Sequence, residues 1–192
     1  MSTFFSLTAP LFKLSRHRFS DSDLRRFADL VRPCVPPGGR LLDLGGGTGD
    51  LGLGVGKALG ADVVVTDVTP EMLRRVSAHP SISVRLSAAE SLPFPDGHFD
   101  GLICSDAFHH FRDQEAAAAE MARVVKPRGC ILVFEFRRKL SGRVLVPLEK
   151  SLGEPGSFLE PDELQAMFAR HGIRGSIVQR GFLTYTFAAN RD

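Results

Sequence analysis

Residues 40–51 read RLLDLGGGTGDL, and the rest of the chain falls into place around them. Arg40–Leu44 is short and apolar, as a buried strand is, and the glycines after it make a turn. Leu51, Val55, Ala58 and Leu59 then recur on one face of a helix over 51–59. The next run, DVVVTD at 62–67, is rich in β-branched residues without alternation, the pattern of a strand covered on both faces. A strand, a tight glycine turn, a helix and a second buried strand make a β-α-β unit.

Upstream, Ser20 and Asp23 are spaced as a capping box, with Leu24, Phe27, Ala28 and Val31 at helical intervals behind them; this helix is predicted to stop at Arg32, before Pro33. Downstream, Thr69 and Pro70 open a helix as cap and first residue. ISVRL at 82–86 is a third strand and FDGLICS at 99–105 a fourth. A helix over 113–126 is predicted to be halted by Pro127, and CILVFEF at 130–136 is a fifth strand. Pro161 starts a helix through Leu164, Met167 and Phe168 that ends at Gly172. SIVQR and FLTYTF, separated by Gly181, form a terminal antiparallel hairpin. The predicted class is α/β: a doubly wound, mostly parallel, Rossmann-like seven-stranded sheet with helices on both faces.

The bulk composition narrows the function. The chain has 192 residues, 43% hydrophobic and 24% charged, enough for one domain with a substantial core. A formal charge of +2 gives no reason to expect nucleic acid. Cys34, Cys104 and Cys130 show no C-x-x-C spacing and are expected to be inert, buried thiols in a reducing compartment, with no metal site. No uncharged apolar run approaches the ~20 residues that span a bilayer. MSTFFSLTAPLFKLSRHRF at the N-terminus has its charges after its apolar part, the reverse of a secretory signal, so a cytoplasmic protein is expected.

Ligands of such sheets bind outside the carboxyl ends of the strands. Gly47-x-Gly49-x-x-Gly52 satisfies a bare dinucleotide pattern, and Asp67 follows at a distance suited to a ribose. With nineteen glycines in the chain, that match alone is weak. Asp43 argues against it, because an acid at the strand tip repels a pyrophosphate. A cofactor with no phosphate but with a cationic sulfonium and an amino-acid tail suits the loop better, and S-adenosylmethionine is such a molecule. Glycines let the backbone approach its methionine and ribose, and Asp67 accepts hydrogen bonds from the ribose hydroxyls. Gly52, Gly54 and Gly56 are expected to serve helix packing.

LLDLGGGTGDL, VVTDVTPEML, AAESLPFPDGHFD and RVVKPRGCILVFEF follow one another in this order. With them the chain resembles the class I S-adenosylmethionine-dependent methyltransferases, and most closely the ubiquinone/menaquinone biosynthesis C-methyltransferases. The likeness runs from about Arg40 to Phe136. It implies a single domain over 1–192, made of an N-terminal lid and helix (1–32), a cofactor-binding core (40–136) and an acceptor-side segment with the terminal hairpin (137–192). It assigns Asp43, Gly45, Gly46, Gly47, Thr48 and Gly49 to the methionine and ribose side and Asp67 to the ribose hydroxyls. Val68 and Met72 would flank the adenine, Ala88 and Ala89 meet its edge, and Ser105 lies beside the methionine. S-adenosylhomocysteine would be the product. Two departures stand out. The family usually has Asp or Asn at the position of Ala88, and its N-terminal Tyr-Asp is here Phe12-Lys13.

Methyl transfer from a sulfonium is an in-line displacement, in which positioning and water exclusion supply most of the acceleration. A phenol or quinol acceptor gains from loss of its hydroxyl proton. SDAFHHF at 105–111 supplies Asp106, His109 and His110 as candidates, with a purely structural role for either histidine as the competing reading. Glu135, ending the fifth strand, either meets the acceptor or pairs with Arg137 or Arg138. Tyr185, the sole tyrosine, is expected in the hairpin core.

RRKLSGRVLVPLEK at 137–150 carries five basic residues among apolar ones. It fits peripheral contact with an anionic membrane, and equally a solvated lid helix. Phe4, Phe5, Leu11, Phe12 and Phe19 fit a lid over an apolar acceptor or simple closure of the core. The expected protein is thus a methyltransferase for a small, apolar or aromatic acceptor, methylated at carbon, oxygen or nitrogen, with its oligomeric state open. A non-catalytic relative that binds the cofactor and acts through a partner, and a nicotinamide-dependent oxidoreductase, are the rival readings.

Overall fold

The computed structural model describes residues 19–137, 157–181 and 183–192. Helix α1 (Asp21–Val31) begins where the capping box places it. Asp23 N–H donates to Ser20 Oγ (3.2 Å), and Ser20 N–H donates to the Asp23 carboxylate (2.9 Å). There follow β1 (Arg40–Leu44), α2 (Asp50–Leu59), β2 (Asp62–Asp67), α3 (Pro70–Leu73), β3 (Ile82–Leu86) and β4 (Phe99–Ser105). After a 3-10 turn at Phe108–His110 come α4 (Gln114–Val124), β5 (Val125–Phe136), α5 (Pro161–Arg170), β6 (Ile173–Arg180) and β7 (Thr184–Arg191).

The strands form the expected seven-stranded sheet, in the order β3-β2-β1-β4-β5-β7-β6. The first five pair in parallel, and β7 runs antiparallel between β5 and β6. The winding reverses between β1 and β4, where Asp43 lies opposite Ile103. That reversal opens a crevice at the carboxyl ends of these two strands.

Alternate residues of the central strands feed two cores. Leu41, Val63, Val65, Ile103 and Leu132 pack under Phe27 and Val31 of α1 and Val55 and Leu59 of α2. Leu42, Leu44, Leu102, Ile131 and Val133 pack on the other face with Met121, Phe168 and Phe187. Burial on both faces is the physical reason the central strands read as continuous apolar runs. Tyr185 lies in the second core, 1% exposed, its hydroxyl donating to the Leu159 carbonyl (3.3 Å).

Several expectations need correction. The helix expected over 113–126 ends at Val124, and β5 starts at once, so Pro127 lies inside the strand rather than stopping a helix. The register of β4 on β5 jumps between Phe99/Val125 and Gly101/Cys130, and this irregularity accommodates a residue with no N–H to donate. Thr69 stands at the N-cap of α3, but its side chain makes no capping bond, and the helix lasts only four residues. Cys34 and Cys130 are not separate thiols: they form a disulfide across 96 residues, with Cα atoms 5.7 Å apart. The sheet brings the start of β5 beside the turn after α1, a contact that no local spacing reveals. Cys104 does remain a free, buried thiol, and burial pushes its pKa well up. No helix among the described residues is long and apolar enough to cross a membrane.

Candidate functional site

The glycine loop closes over Asp43. This carboxylate ends β1 with 1% of its surface exposed, and its Oδ2 accepts the Gly52 N–H (3.1 Å). A Cβ on Gly46 would come within 2.5 Å of the Asp43 Cγ, and one on Gly52 within 2.5 Å of its Oδ2. Only glycine lets the backbone roof the acid this closely. Burial, reinforced by the neighbouring charges of Asp67 and Asp50, lifts the Asp43 pKa to about 7, against the pull of the Gly52 N–H.

Asp67, ending β2, ties the loop down. Its Oδ2 accepts the Gly47 N–H (3.0 Å) and its Oδ1 the Thr69 N–H (2.8 Å). Burial raises its pKa, and these two amides oppose the rise. Two further loop amides are also engaged. Gly46 N–H donates to Thr66 O (3.0 Å) and Gly49 N–H to Gly46 O (2.9 Å). A dinucleotide pyrophosphate needs amides pointing outward. Here Gly46, Gly47 and Gly52 donate inward to Thr66, Asp67 and Asp43, Gly49 closes the turn on Gly46, and the loop over the buried Asp43 favours a cation. Space for a ligand is present, because a Cβ on Gly47 would meet nothing within 4 Å.

The other predicted cofactor residues lie along the same edge. Val68 is 51% exposed beside Asp67, whereas Met72 is buried in α3. Ala88 is exposed and Ala89 buried, just past β3. The Thr48 hydroxyl donates to the Asp50 carboxylate (2.7 Å), and the Gly45 position lies against Ala107. Ser105 ends β4, and its Oγ is buried without a hydrogen-bond partner among the described residues. A buried hydroxyl with no partner is costly, and one at a strand tip in the crevice suits a ligand donor. The donor set, the roofed acid and this orphaned hydroxyl all fit S-adenosylmethionine: Asp43 toward the cationic methionine portion, Asp67 toward the ribose, Ser105 toward the methionine.

The three candidate acid–base residues do meet, but they are not equivalent. Asp106 follows Ser105 with φ +51°, a conformation Asp tolerates better than most residues, and its N–H donates to Phe134 O (2.8 Å). One oxygen or ring nitrogen from each of Asp106, His109 and Glu135 falls within a 4.8 Å cluster. His109 is 3% exposed, with Nδ1 2.8 Å from Glu135 Oε2. Glu135 Oε1 also accepts the Phe108 N–H (2.8 Å), and Oε2 the Phe136 N–H (3.2 Å). The His109 ring stacks on Phe158 at 4.1 Å, and its carbonyl accepts the Ser157 N–H (2.9 Å). His109 thus pins residues 157 and 158 to the end of β4. The His110 ring lies 3.9 Å from that of His109, and burial together with that neighbour lowers its pKa to about 3.

Glu135 therefore serves His109, and Arg137 reaches instead for Glu160 (3.7 Å). Phe19 closes the α1 core against Phe27 and Phe134. Phe4, Phe5, Leu11, Phe12 and Lys13 lie outside the described residues, as does the basic segment after Arg137. Phe158 was not anticipated, and no local signal marks it.

A strand-tip acid under a glycine roof, a second acid at the tip of the adjacent strand and a buried serine hydroxyl at the switch point together form a candidate cofactor site. Residues 42–133 match the family described as "Methyltransferase domain". The chain is similar to a demethylmenaquinone methyltransferase of Thermus thermophilus, 41% identical over 142 residues, covering 69% of this chain and 64% of that protein. It is also similar to a ubiquinone/menaquinone biosynthesis C-methyltransferase (UbiE) of Cupriavidus necator, 40% identical over 124 residues, covering 61% of this chain and 49% of that one. The chain thus spans about half to two thirds of the length of these relatives. Among solved structures, a SAM-dependent methyltransferase of Thermotoga maritima, described as a possible histamine N-methyltransferase, superposes with TM-score 0.74 over the whole of both chains at 19% identity. That likeness concerns the fold alone.

Proposed function

We propose that this protein transfers a methyl group from S-adenosylmethionine to a small aromatic acceptor of the quinol type. S-adenosylmethionine supplies an electrophilic methyl group carried on a sulfonium. The observation that carries the reading is the juxtaposition of two groups at the β1/β4 switch point. Asp43 offers a buried anion for the cation, and Asp106, just past the end of the adjacent strand, offers a carboxylate for a hydroxyl proton. A quinol deprotonated at oxygen becomes nucleophilic at the ring carbon beside it. In this division of labour Asp106 receives the proton, and His110, held neutral by burial, accepts a hydrogen bond. His109 keeps the 3-10 turn in place through Glu135 rather than touching the acceptor, because only 3% of it is exposed. The names of the two curated relatives support the quinone class.

The test is incubation with methyl-labelled S-adenosylmethionine and a chemically reduced demethylmenaquinone. Label in the lipid extract, lost in Asp106→Asn, is the expected result. Label that instead enters a different fraction of a cell extract overturns the acceptor class. No transfer to any fraction, with cofactor binding intact, would favour the non-catalytic relative.

A further inference from the structure

An open sheet has two edge strands, and each presents a row of N–H and C=O groups that pair with nothing in the sheet. Here the edges are β6 and β3, and they are built differently. β6 carries a register shift between Ile177 and Gln179, and its Arg174 and Arg180 are held by Asp192 and Asp162. Irregularities and charges of this kind keep an edge from pairing. β3 has neither bulge nor proline: Ile82–Leu86 pairs with β2 in unbroken register, and Val84 and Leu86 are 47% and 55% exposed. The Val63 N–H donates to Ser81 O and the Ser87 N–H to Asp67 O. The odd-numbered residues therefore turn their backbone groups toward β2, and Val84 and Leu86 turn theirs outward.

We infer that β3 pairs antiparallel with β3 of a second copy of this chain, about a two-fold axis through Val84, joining two seven-stranded sheets into one. In that register Val84 faces the partner's Val84, Ile82 faces the partner's Leu86, and Ser83 faces the partner's Arg85. Each apolar side chain meets an apolar one, and no like charges stand directly opposite. The leucine also has space to enter. Ile82 and Val84 pair with Val63 and Val65, so they and Leu86 lie on the face of the sheet that α2 covers. On that face, beside Ile82, Leu53, Gly56, Ala61, Val63 and Ser81 line a cavity of about 220 Å³. A cavity of about 150 Å³ already holds a benzene. Charge supplies a second match on the opposite face. Arg85 and Asp62 are exposed, and neither side chain has a hydrogen bond or ion pair among the described residues. From the partner's Arg85, opposite Ser83, Asp62 lies two strands across and two residues along. That is about 12 Å between Cα atoms, within the combined reach of an extended arginine and an aspartate. The two-fold axis makes this ion pair twice.

Edges this short form an interface at the low end of specific ones, so half-dissociation is expected at roughly 10–100 μM. Sedimentation equilibrium of the full chain across that range and above it should show a reversible doubling of mass. A monomer throughout overturns the inference. Val84→Lys sets two ammonium groups on the axis and is expected to abolish the dimer with an unchanged thermal midpoint, because the position is exposed in the single chain. A dimer that persists in this variant uses another surface and overturns the inference. Val84→Cys reads the axis itself. Cys104 is buried and Cys34 is bonded to Cys130, so the new thiol is the one that reacts. Directly opposed residues stand about 5.5 Å apart at Cα, a distance a disulfide spans. With oxidised glutathione as oxidant, covalent dimers are expected; their absence where wild type is dimeric overturns the register. Arg85→Asp should weaken association roughly fivefold, the effect of two exposed ion pairs of ordinary strength. Adding Asp62→Arg to the same chain should restore it, since each protomer then carries the pair reversed. A double variant no tighter than Arg85→Asp alone also overturns the register.

Discussion

Replacing Asp43 by Asn tests the site at its most unusual point. Asn has the shape of Asp and a carbonyl that can still accept the Gly52 N–H, so the change removes chiefly a charge. Burial raises this carboxyl from 3.8 to about 7. At about 1.36 kcal/mol per pKa unit, ionised Asp43 costs the empty protein about 4 kcal/mol. The sign follows from proton binding. Between pH 3.8 and 7 the folded state keeps a proton that the unfolded chain has lost, so stability falls as pH rises through that window and levels off above it. Asp43→Asn has no such proton. The variant should match wild type near pH 4 and exceed it in stability by up to about 4 kcal/mol at pH 8. Urea unfolding of both proteins at four pH values measures the difference, and other titrating groups cancel between them. Binding should show the opposite trend. A cationic ligand favours the ionised carboxyl, so wild-type affinity for S-adenosylmethionine is expected to rise through pH 7. Asp43→Asn should bind more weakly and without that dependence. A stability difference that does not vary with pH would refute the reasoning.

Gly52→Ala gains helix propensity of about 1 kcal/mol, but its Cβ would lie 2.5 Å from the Asp43 Oδ2 and 2.9 Å from its Cβ. Overpacking should win by about 1–2 kcal/mol, seen as a lower urea midpoint; a neutral result would mean the loop is looser than drawn. Glu135→Gln replaces two accepting oxygens with one, and leaves a buried N–H of Phe108, Phe136 or the His109 ring facing an amide donor. A loss of about 1–3 kcal/mol is expected, with amide exchange accelerated at Phe108 and His109; unchanged exchange there would remove Glu135 as the anchor of the turn. Cys34→Ser opens a crosslink between residues 96 apart, for which chain entropy suggests about 3–5 kcal/mol. Wild type should lose this stability in reductant while the variant is indifferent to it, and three titratable thiols in the unfolded, unreduced wild type would contradict the bond.

The local half of this protein was legible in the amino acids. Capping at Ser20, the strand–glycine–helix run from Arg40 and the apolar strands 82–86 and 99–105 depend on propensity and periodicity within a dozen residues. They appeared where those rules place them. The same locality marked Asp43, Asp67 and Ser105 as strand-tip residues, since a strand's end can be read from its own composition. Pairings between distant segments were not legible. Pro127 falls inside β5 because β4 pairs with Val125 before it and with Cys130 after it, so tertiary pairing on either side overrides a local stop signal. Cys34 meets Cys130, and His109 meets Glu135 and Phe158, because the sheet order sets segments side by side that no spacing connects. The consequences for chemistry arise there too. How far a carboxylate or an imidazole is removed from water decides its charge, and only the assembled fold determines that a roof of glycines shuts over Asp43.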